Sequence, residues 1–169
     1  AERAIVSQLT SSLKTPREQL PQRIESLVAE LKAAEKKIAA FEASRLSGRV
    51  PALVDAATRV GDVLTVIDDI GELGSVDELR ALVTSVRERL GSEPAVVALA
   101  ARVGGKPSVI VATTPAARDT GTKAEALAKQ AASTLGGGGG GKDDLAQGGG
   151  SDVAAIGAAL DGIRAALRG

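Results

Sequence analysis

The sequence predicts an α/β protein in which an N-terminal helical (coiled-coil) arm precedes a small mixed β-sheet covered by helices. Three observations carry that prediction. Apolar residues recur at alternating spacings of three and four from Ile24 to Phe41, the seam of a heptad-patterned helix. Val63-Leu-Thr-Val-Ile67, Ala95–Ala101 and Ser108–Thr113 are short apolar runs of strand length. Ser75-Val-Asp-Glu78 and Thr122-Lys-Ala-Glu125 are capping boxes that open amphipathic helices between and after those runs.

Residues 1–47 read as the arm. Ile5, Leu9 and Leu13 form one helical stripe, which Pro16 and Pro21 interrupt. The second stripe is Ile24, Leu27, Leu31, Ala34, Ile38 and Phe41, with Lys, Glu, Gln and Arg elsewhere. The expectation is two helices that close into an antiparallel hairpin or pair with another chain. Gly48 and Pro51 mark the boundary to a globular domain, residues 48–169. Pro51–Arg59 has the length of a short helix, and Asp62–Ile70 holds the first strand. The helix opened at Ser75 carries Leu79, Leu82, Val83, Val86 and Leu90 and stops at Gly91. Gly104-Gly-Lys-Pro107 joins the next two strands as a hairpin turn. The helix opened at Thr122 runs to Leu135, with Gly136 as its cap. Ser151 is placed to cap a last helix, whose stripe is Val153, Ile156, Leu160, Ile163 and Leu167. Gly157 and Gly162 inside it cost roughly 1 kcal/mol each relative to Ala, so close packing against another backbone is the expected compensation. The predicted order is arm, then β-α-β-β-α-loop-α.

The loop in that order is residues 136–150, GGGGGGKDDLAQGGG, with nine glycines in fifteen positions. Glycine loses most entropy on ordering, so such a run needs a reason: positive φ, or close approach of the backbone to something bulky. A flexible linker needs no Lys-Asp-Asp-Leu-Ala-Gln at its centre and is not bounded by helix signals on both sides. A shaped loop is the expectation.

Composition removes several functions. The chain has no Cys and no His, which excludes thiolate chemistry, disulfides and His-based catalysis and leaves a zinc site only carboxylates. Its one aromatic residue is Phe41, so it has no stacking platform for single-stranded nucleic acid; folded RNA read through backbone and shape remains open. Basic and acidic residues balance at 21 each, which argues against bulk-charge nucleic-acid binding. No apolar run reaches membrane length. There is no Met, even at position 1, so the expectation is a piece of a longer protein.

Gly136-x-x-x-x-Gly141-Lys142 has the spacing of a phosphate loop, but Asp143 stands where a Ser or Thr should hold Mg²⁺, and the segment follows a helix rather than a strand. Asp68-Asp69 and Asp143-Asp144 are carboxylate pairs without a third ligand nearby, and read as solvated turn residues. The cations placed on loops are Arg102 and Lys106 at the hairpin turn and Lys142 within the glycine segment. Glycine N–H groups add donors for phosphate or ribose oxygens.

Gly136–Gly141, Lys142, Asp143-Asp144, Leu145, Ala146-Gln147 and Gly148-Gly149 together resemble a signature near the C-terminus of the alanyl-tRNA synthetase family. There it reads Gly-Gly-x-Gly-Gly-Gly-Arg/Lys, two residues, an apolar residue, then Ala-Gln-x-Gly-Gly. Lys142 stands where Arg is common and Asp143 where Pro often follows; with Lys a bidentate guanidinium contact is lost. The resemblance extends over nearly the whole chain, including the arm, and implies a C-terminal domain of the DHH-associated type.

It implies further that the parent is a cytoplasmic ligase that charges tRNA with alanine, uses ATP, Mg and Zn, and hydrolyses mischarged products. Its catalytic domains lie upstream, and editing there uses His and Cys zinc ligands that this chain lacks. This segment is then non-catalytic, without a cofactor of its own and with no membrane partner. Its partners are alanine-specific tRNA, at the elbow where the D and T loops meet, and the upstream domains. The expected RNA-binding residues are Gly138, Gly139, Gly140, Gly141, Lys142, Gln147, Gly148, Gly149, Arg102 and Lys106. The arm is similar to one that aids dimerisation in some members, which casts Ile24, Leu27, Leu31, Ile38 and Phe41 as a homodimer seam. Two other readings stand beside this one. A DHH-type phosphoesterase substrate domain shares the glycine segment but often has a His after the glycines. A purely structural module would dimerise the parent without touching RNA.

Overall fold

The computed structural model describes residues 1–169. They divide into two compact units, Ala1–Ser44 and Arg45–Gly169.

The first unit holds α1 (Glu2–Leu13), a single 3-10 turn at Arg17–Gln19, and most of α2 (Leu20–Ser47). Lys14 ends α1 in the left-handed region at φ 49°, with its N–H returned to the Thr10 carbonyl. Pro21 does not interrupt α2. It lies in the first turn, where a proline removes no intrahelical hydrogen bond. The antiparallel hairpin is not formed. No residue of α1 is buried, and on α2 Leu31, Ile38 and Phe41 are 60%, 63% and 69% exposed.

The second unit begins in the last turn of α2, where Leu46 joins Val50 and Leu53 in the core. It continues through α3 (Val50–Asp55), β1 (Thr58–Val60), β2 (Val63–Leu73), α4 (Val76–Leu90), β3 (Ala95–Val103), β4 (Lys106–Thr113), α5 (Pro115–Asp119), α6 (Ala124–Thr134), β5 (Gly139–Gly141), β6 (Leu145–Gly149) and α7 (Ile156–Arg168). One six-stranded sheet has the order β1-β2-β3-β4-β6-β5. Only β2 and β3 are parallel, as the α4 crossover requires; every other pair is antiparallel. Two apolar layers sandwich the sheet. Leu79, Leu82, Val83 and Val86 of α4 pack on one face with Val97, Leu99 and Ile110. Leu127, Ala128 and Ala131 of α6 and Ile156, Leu160 and Ile163 of α7 pack on the other with Val96, Val109 and Val111. The strands therefore read as continuous apolar runs because both faces are covered.

Local signals meet mixed outcomes. Ser75 and Glu78 form the reciprocal capping box, and Gly91 ends α4 at φ 68°. The β3–β4 turn is the two residues Gly104-Gly105, both at positive φ (58° and 76°), which suits a tight hairpin. The second capping box is absent. Lys123 holds the cap position of α6 without a side-chain bond, and the Ala124 N–H donates to the Asp143 carbonyl at 2.9 Å. Ser151 does not cap α7 either: its N–H and that of Asp152 both donate to the Leu135 carbonyl at 3.0 Å, and a 3-10 turn at Val153–Ala155 leads into the helix. Gly162 of α7 does meet a neighbour, since its carbonyl accepts from Gln130 Nε2 at 3.0 Å, whereas Gly157 faces open space.

Thr114 joins the start of β3 to the end of β4. Its buried hydroxyl accepts the Ala95 N–H at 2.8 Å and donates to the Glu93 carbonyl at 2.7 Å. Thr114→Val strands that N–H, and the expected loss is about 1–3 kcal/mol of unfolding free energy, read in urea melts.

Candidate nucleic-acid interface

The glycine segment is not a loop between two helices. It forms β5 and β6, a hairpin that completes the sheet beyond β4 and supplies its edge. Glycine has poor strand propensity, so the residues themselves gave no strand signal. The hairpin forms because bare backbone lets it press against α6. A Cβ on Gly137 would stand 2.1 Å from the Gly149 carbonyl oxygen, and one on Gly150 2.1 Å from that of Leu135. At Gly139 the obstacles are the Gln147 carbonyl at 2.9 Å and the Ala128 carbonyl of α6 at 3.0 Å; at Gly148 they are the Ala128 carbonyl and the Ala132 Cβ of α6, both at 2.8 Å. Gly141 would meet the Ala146 Cα at 2.5 Å. Within the segment only Gly136 (φ 77°) and Gly141 (φ 150°) have positive φ, so close approach, not dihedral freedom, is the main demand. Gly138 and Gly140 differ: a Cβ at either meets nothing within 4 Å.

Both ends of the hairpin are tied. At its root Gly136 is the left-handed residue of a Schellman cap on α6: its N–H reaches the Ser133 carbonyl at 3.2 Å, and the Gly137 N–H reaches that of Ala132 at 2.9 Å. At its tip, Lys142-Asp143-Asp144, the Asp143 carbonyl accepts from Ala124 N–H and from the Thr113 hydroxyl (2.6 Å). The Asp144 carbonyl accepts from the Thr113 N–H (3.0 Å) and from Arg87 (2.9 Å). Asp143 also pairs with Lys123 at 3.4 Å. Lys142 is exposed at this tip, and its ammonium makes no hydrogen bond or ion pair within the chain.

The other expected residues fall into separate places. Gln147 is exposed on the α4 side, opposite Ile110 of β4, and its side-chain oxygen accepts from Arg80. Gly149 sits over the Pro107 carbonyl. Arg102 belongs to β3 rather than the turn, and is paired with Asp69 of β2 at 3.3 Å. Lys106 starts β4, while Thr113 at the end of β4 is bonded to the Asp143-Asp144 tip. Eight residues of strand therefore put Lys106 about 23 Å from the Lys142 end. Arg102 and Lys106 do not cluster with Lys142. The pair Asp68-Asp69 is likewise spent locally, with Asp69 accepting from Arg102 and from the Gly71 N–H. No three acidic, His or Cys groups converge anywhere as a metal site.

Two cations near the hairpin escaped the sequence reading. Arg80 and Arg87 lie two helical turns apart on α4, each one residue past a core position (Leu79, Val86), and both reach the hairpin. That boundary spacing was the available signal. With Lys142, Gln147 and the outward face of Gly140, Arg80 lines a concavity of about 600 Å³ over Ile110, Leu145 and Ala146.

Substituting Ala at Gly148 or Gly139 should lower the thermal midpoint by an amount equivalent to about 1–3 kcal/mol, the usual range for overpacking. Ala at Gly138 should leave it within about 0.5 kcal/mol of the parent. Equal melting of all three variants would show that α6 does not confine the hairpin.

The DHHA1 domain family matches residues 62–169. The chain is 66% identical over 166 residues to the alanine–tRNA ligase of Clavibacter michiganensis subsp. michiganensis, covering 98% of this chain and 19% of that protein. Against the alanine–tRNA ligase of Leifsonia xyli subsp. xyli the identity is 62% with the same coverage. The chain thus spans about a fifth of the length of these curated relatives. Among solved structures, the C-Ala domain of Aquifex aeolicus alanyl-tRNA synthetase superposes with a TM-score of 0.60 at 30% identity, over 67% of this chain and 98% of that one. The DHH domain of a member of a ribosomal-protein family reaches a TM-score of 0.50 at 12% identity, over 90% of this chain and 34% of that one, a likeness of fold alone. The glycine hairpin strapped to α6 is thus part of a DHHA1 domain, and the chain belongs to that family in the C-Ala form carried by alanyl-tRNA synthetases.

Proposed function

We propose that the chain is the tRNA-binding appended domain of an alanyl-tRNA synthetase, contacting the outer corner of the folded tRNA where the D and T loops meet. Its role is to help one tRNA serve both aminoacylation and editing on the upstream domains. The observation that carries this reading is the anchored glycine hairpin, with Lys142 unpartnered at its tip. A rigid, side-chain-poor sheet edge lets a main chain approach a surface of phosphates and riboses. A free ammonium there adds charge where the approach occurs. Kinship to alanine–tRNA ligases over 98% of the chain supports the same partner. The chain lacks the His and Cys zinc ligands on which editing in this family depends, so it acts by binding. Zero formal charge leads to modest affinity with a shallow salt dependence.

The arm supports a second, compatible role. The seam of Ile24, Leu27, Leu31, Ile38 and Phe41 is largely exposed, and a heptad seam left uncovered in one chain is satisfied by a second copy.

A tRNA transcript titrated with this chain should bind more tightly than a linear RNA hairpin without the elbow. Lys142→Glu should weaken that binding severalfold with no change in melting. Equal or absent binding of the two RNAs would discard the elbow reading and leave the dimer role alone. Sedimentation should give a dimer that Leu31→Glu converts to a monomer; a monomeric parent chain would retire the seam.

A further inference from the structure

The polar side chains that line the concavity between α4 and the hairpin are mostly hydrogen-bond donors. Arg80 can only donate, and so can Lys142. Gln147 faces the Arg80 guanidinium and must turn its amide oxygen toward it, which is the bond observed. That arrangement directs the Gln147 NH₂ away from Arg80, and neither of its N–H groups has an acceptor in the chain. The remaining contact of Arg80 is a long one to the exposed Asp77, 3.4 Å. Asp144 is the single carboxylate on the wall, and the floor is apolar. Gly140 lies directly across the ladder from Gln147. Neither it nor Gly138 has positive φ, and a Cβ at either meets only open space. The fold does not need glycine at these two positions, where a β-branched residue would make a better strand. Bare backbone there leaves the peptide planes open to approach from outside.

We infer that Arg80 and Gln147 act as one recognition unit for the ribose-phosphate backbone of RNA seated in this concavity. The inference rests on the tRNA reading and sharpens it. Arg80 contacts a phosphate and fixes the Gln147 amide with its N–H groups toward a neighbouring oxygen. Lys142 meets a second phosphate from the tip. Gly140, on the wall of the concavity, admits the sugar to contact with the peptide planes.

The test is the tRNA titration with the 169-residue chain and four variants, at several salt concentrations, with melting curves alongside. Arg80→Ala should weaken binding about tenfold and lower the salt slope by about one phosphate contact. Arg80→Lys should keep the slope and lose part of the affinity, because an ammonium cannot hold amide and phosphate in one fork. Gln147→Ala should weaken binding severalfold with the slope unchanged, since no charge is lost. Gly140→Ala should weaken binding without lowering the melting temperature. A parent chain that prefers tRNA while Arg80→Ala and Gln147→Ala bind just as well, on the same salt slope, overturns this inference and leaves the tRNA reading standing. A parent chain with no preference for tRNA overturns both.

Discussion

Backbone packed directly on backbone, between the glycine segment and α6, is the constraint on which the rest of the domain depends. Leu135 shows how tight it is. Its carbonyl accepts the N–H groups of Ser151 and Asp152 at 3.0 Å, and a Cβ on Gly150 would stand 2.1 Å from its oxygen. The end of α6, the end of β6 and the start of the last helical segment therefore meet at one carbonyl. A side chain there would part them and leave buried polar groups unpaired, which costs more than glycine's entropy does. Because root and tip are both bonded to the scaffold, the hairpin has little conformational freedom left to lose when a partner arrives. Preorganisation of that kind converts few contacts into usable affinity.

Much of the scaffold was legible because it obeys local rules. Ser75 and Glu78 announce α4, Gly104-Gly105 announces a hairpin, and apolar runs at Val63, Ala95 and Ser108 mark strands covered on both faces. What sequence could not show is tertiary substitution for a local signal. Thr122 and Glu125 have the spacing of a capping box, yet α6 starts at Ala124 with Lys123 as its cap, and a remote carbonyl, that of Asp143, satisfies the Ala124 N–H. Glycine strands are invisible for a related reason. Pattern reading needs side chains to alternate, and β5 has none. The alternation is nonetheless present, since Gly137, Gly139 and Gly141 are hemmed in while Gly138 and Gly140 face open space.

The candidate site was half legible for the same reason. Lys142 stands out in the sequence because it sits inside the unusual segment. Arg102 and Lys106 were grouped with it by being on a turn, but a turn at the far end of an eight-residue strand is not a neighbour. Arg80 and Arg87 were overlooked because a cation on a capped amphipathic helix reads as solvated surface. Only the sheet order, which puts β6 beside β4 and beyond the cover of α4, brings that helix edge against the hairpin.

The charge pattern fits the role proposed for the domain. A chain with 21 cations and 21 anions gathers little counterion-release energy, so a long-range field cannot hold RNA to it. Several of its cations are already spent near their own anions: Arg59 on Glu93, Arg102 on Asp69, Lys129 on Glu125 and Arg164 on Asp161. Lys142 has no partner, and Arg80 has only an exposed one besides an amide. In the proposed tRNA role, discrimination falls to shape, to the few donors around one concavity, and to glycines that let a surface come close. A contact of the proposed kind is weak alone and would become effective where other domains held the same RNA, because linkage raises local concentration without adding a single bond. In that role a strongly basic version would bind any RNA, and the selectivity proposed for the concavity would be lost.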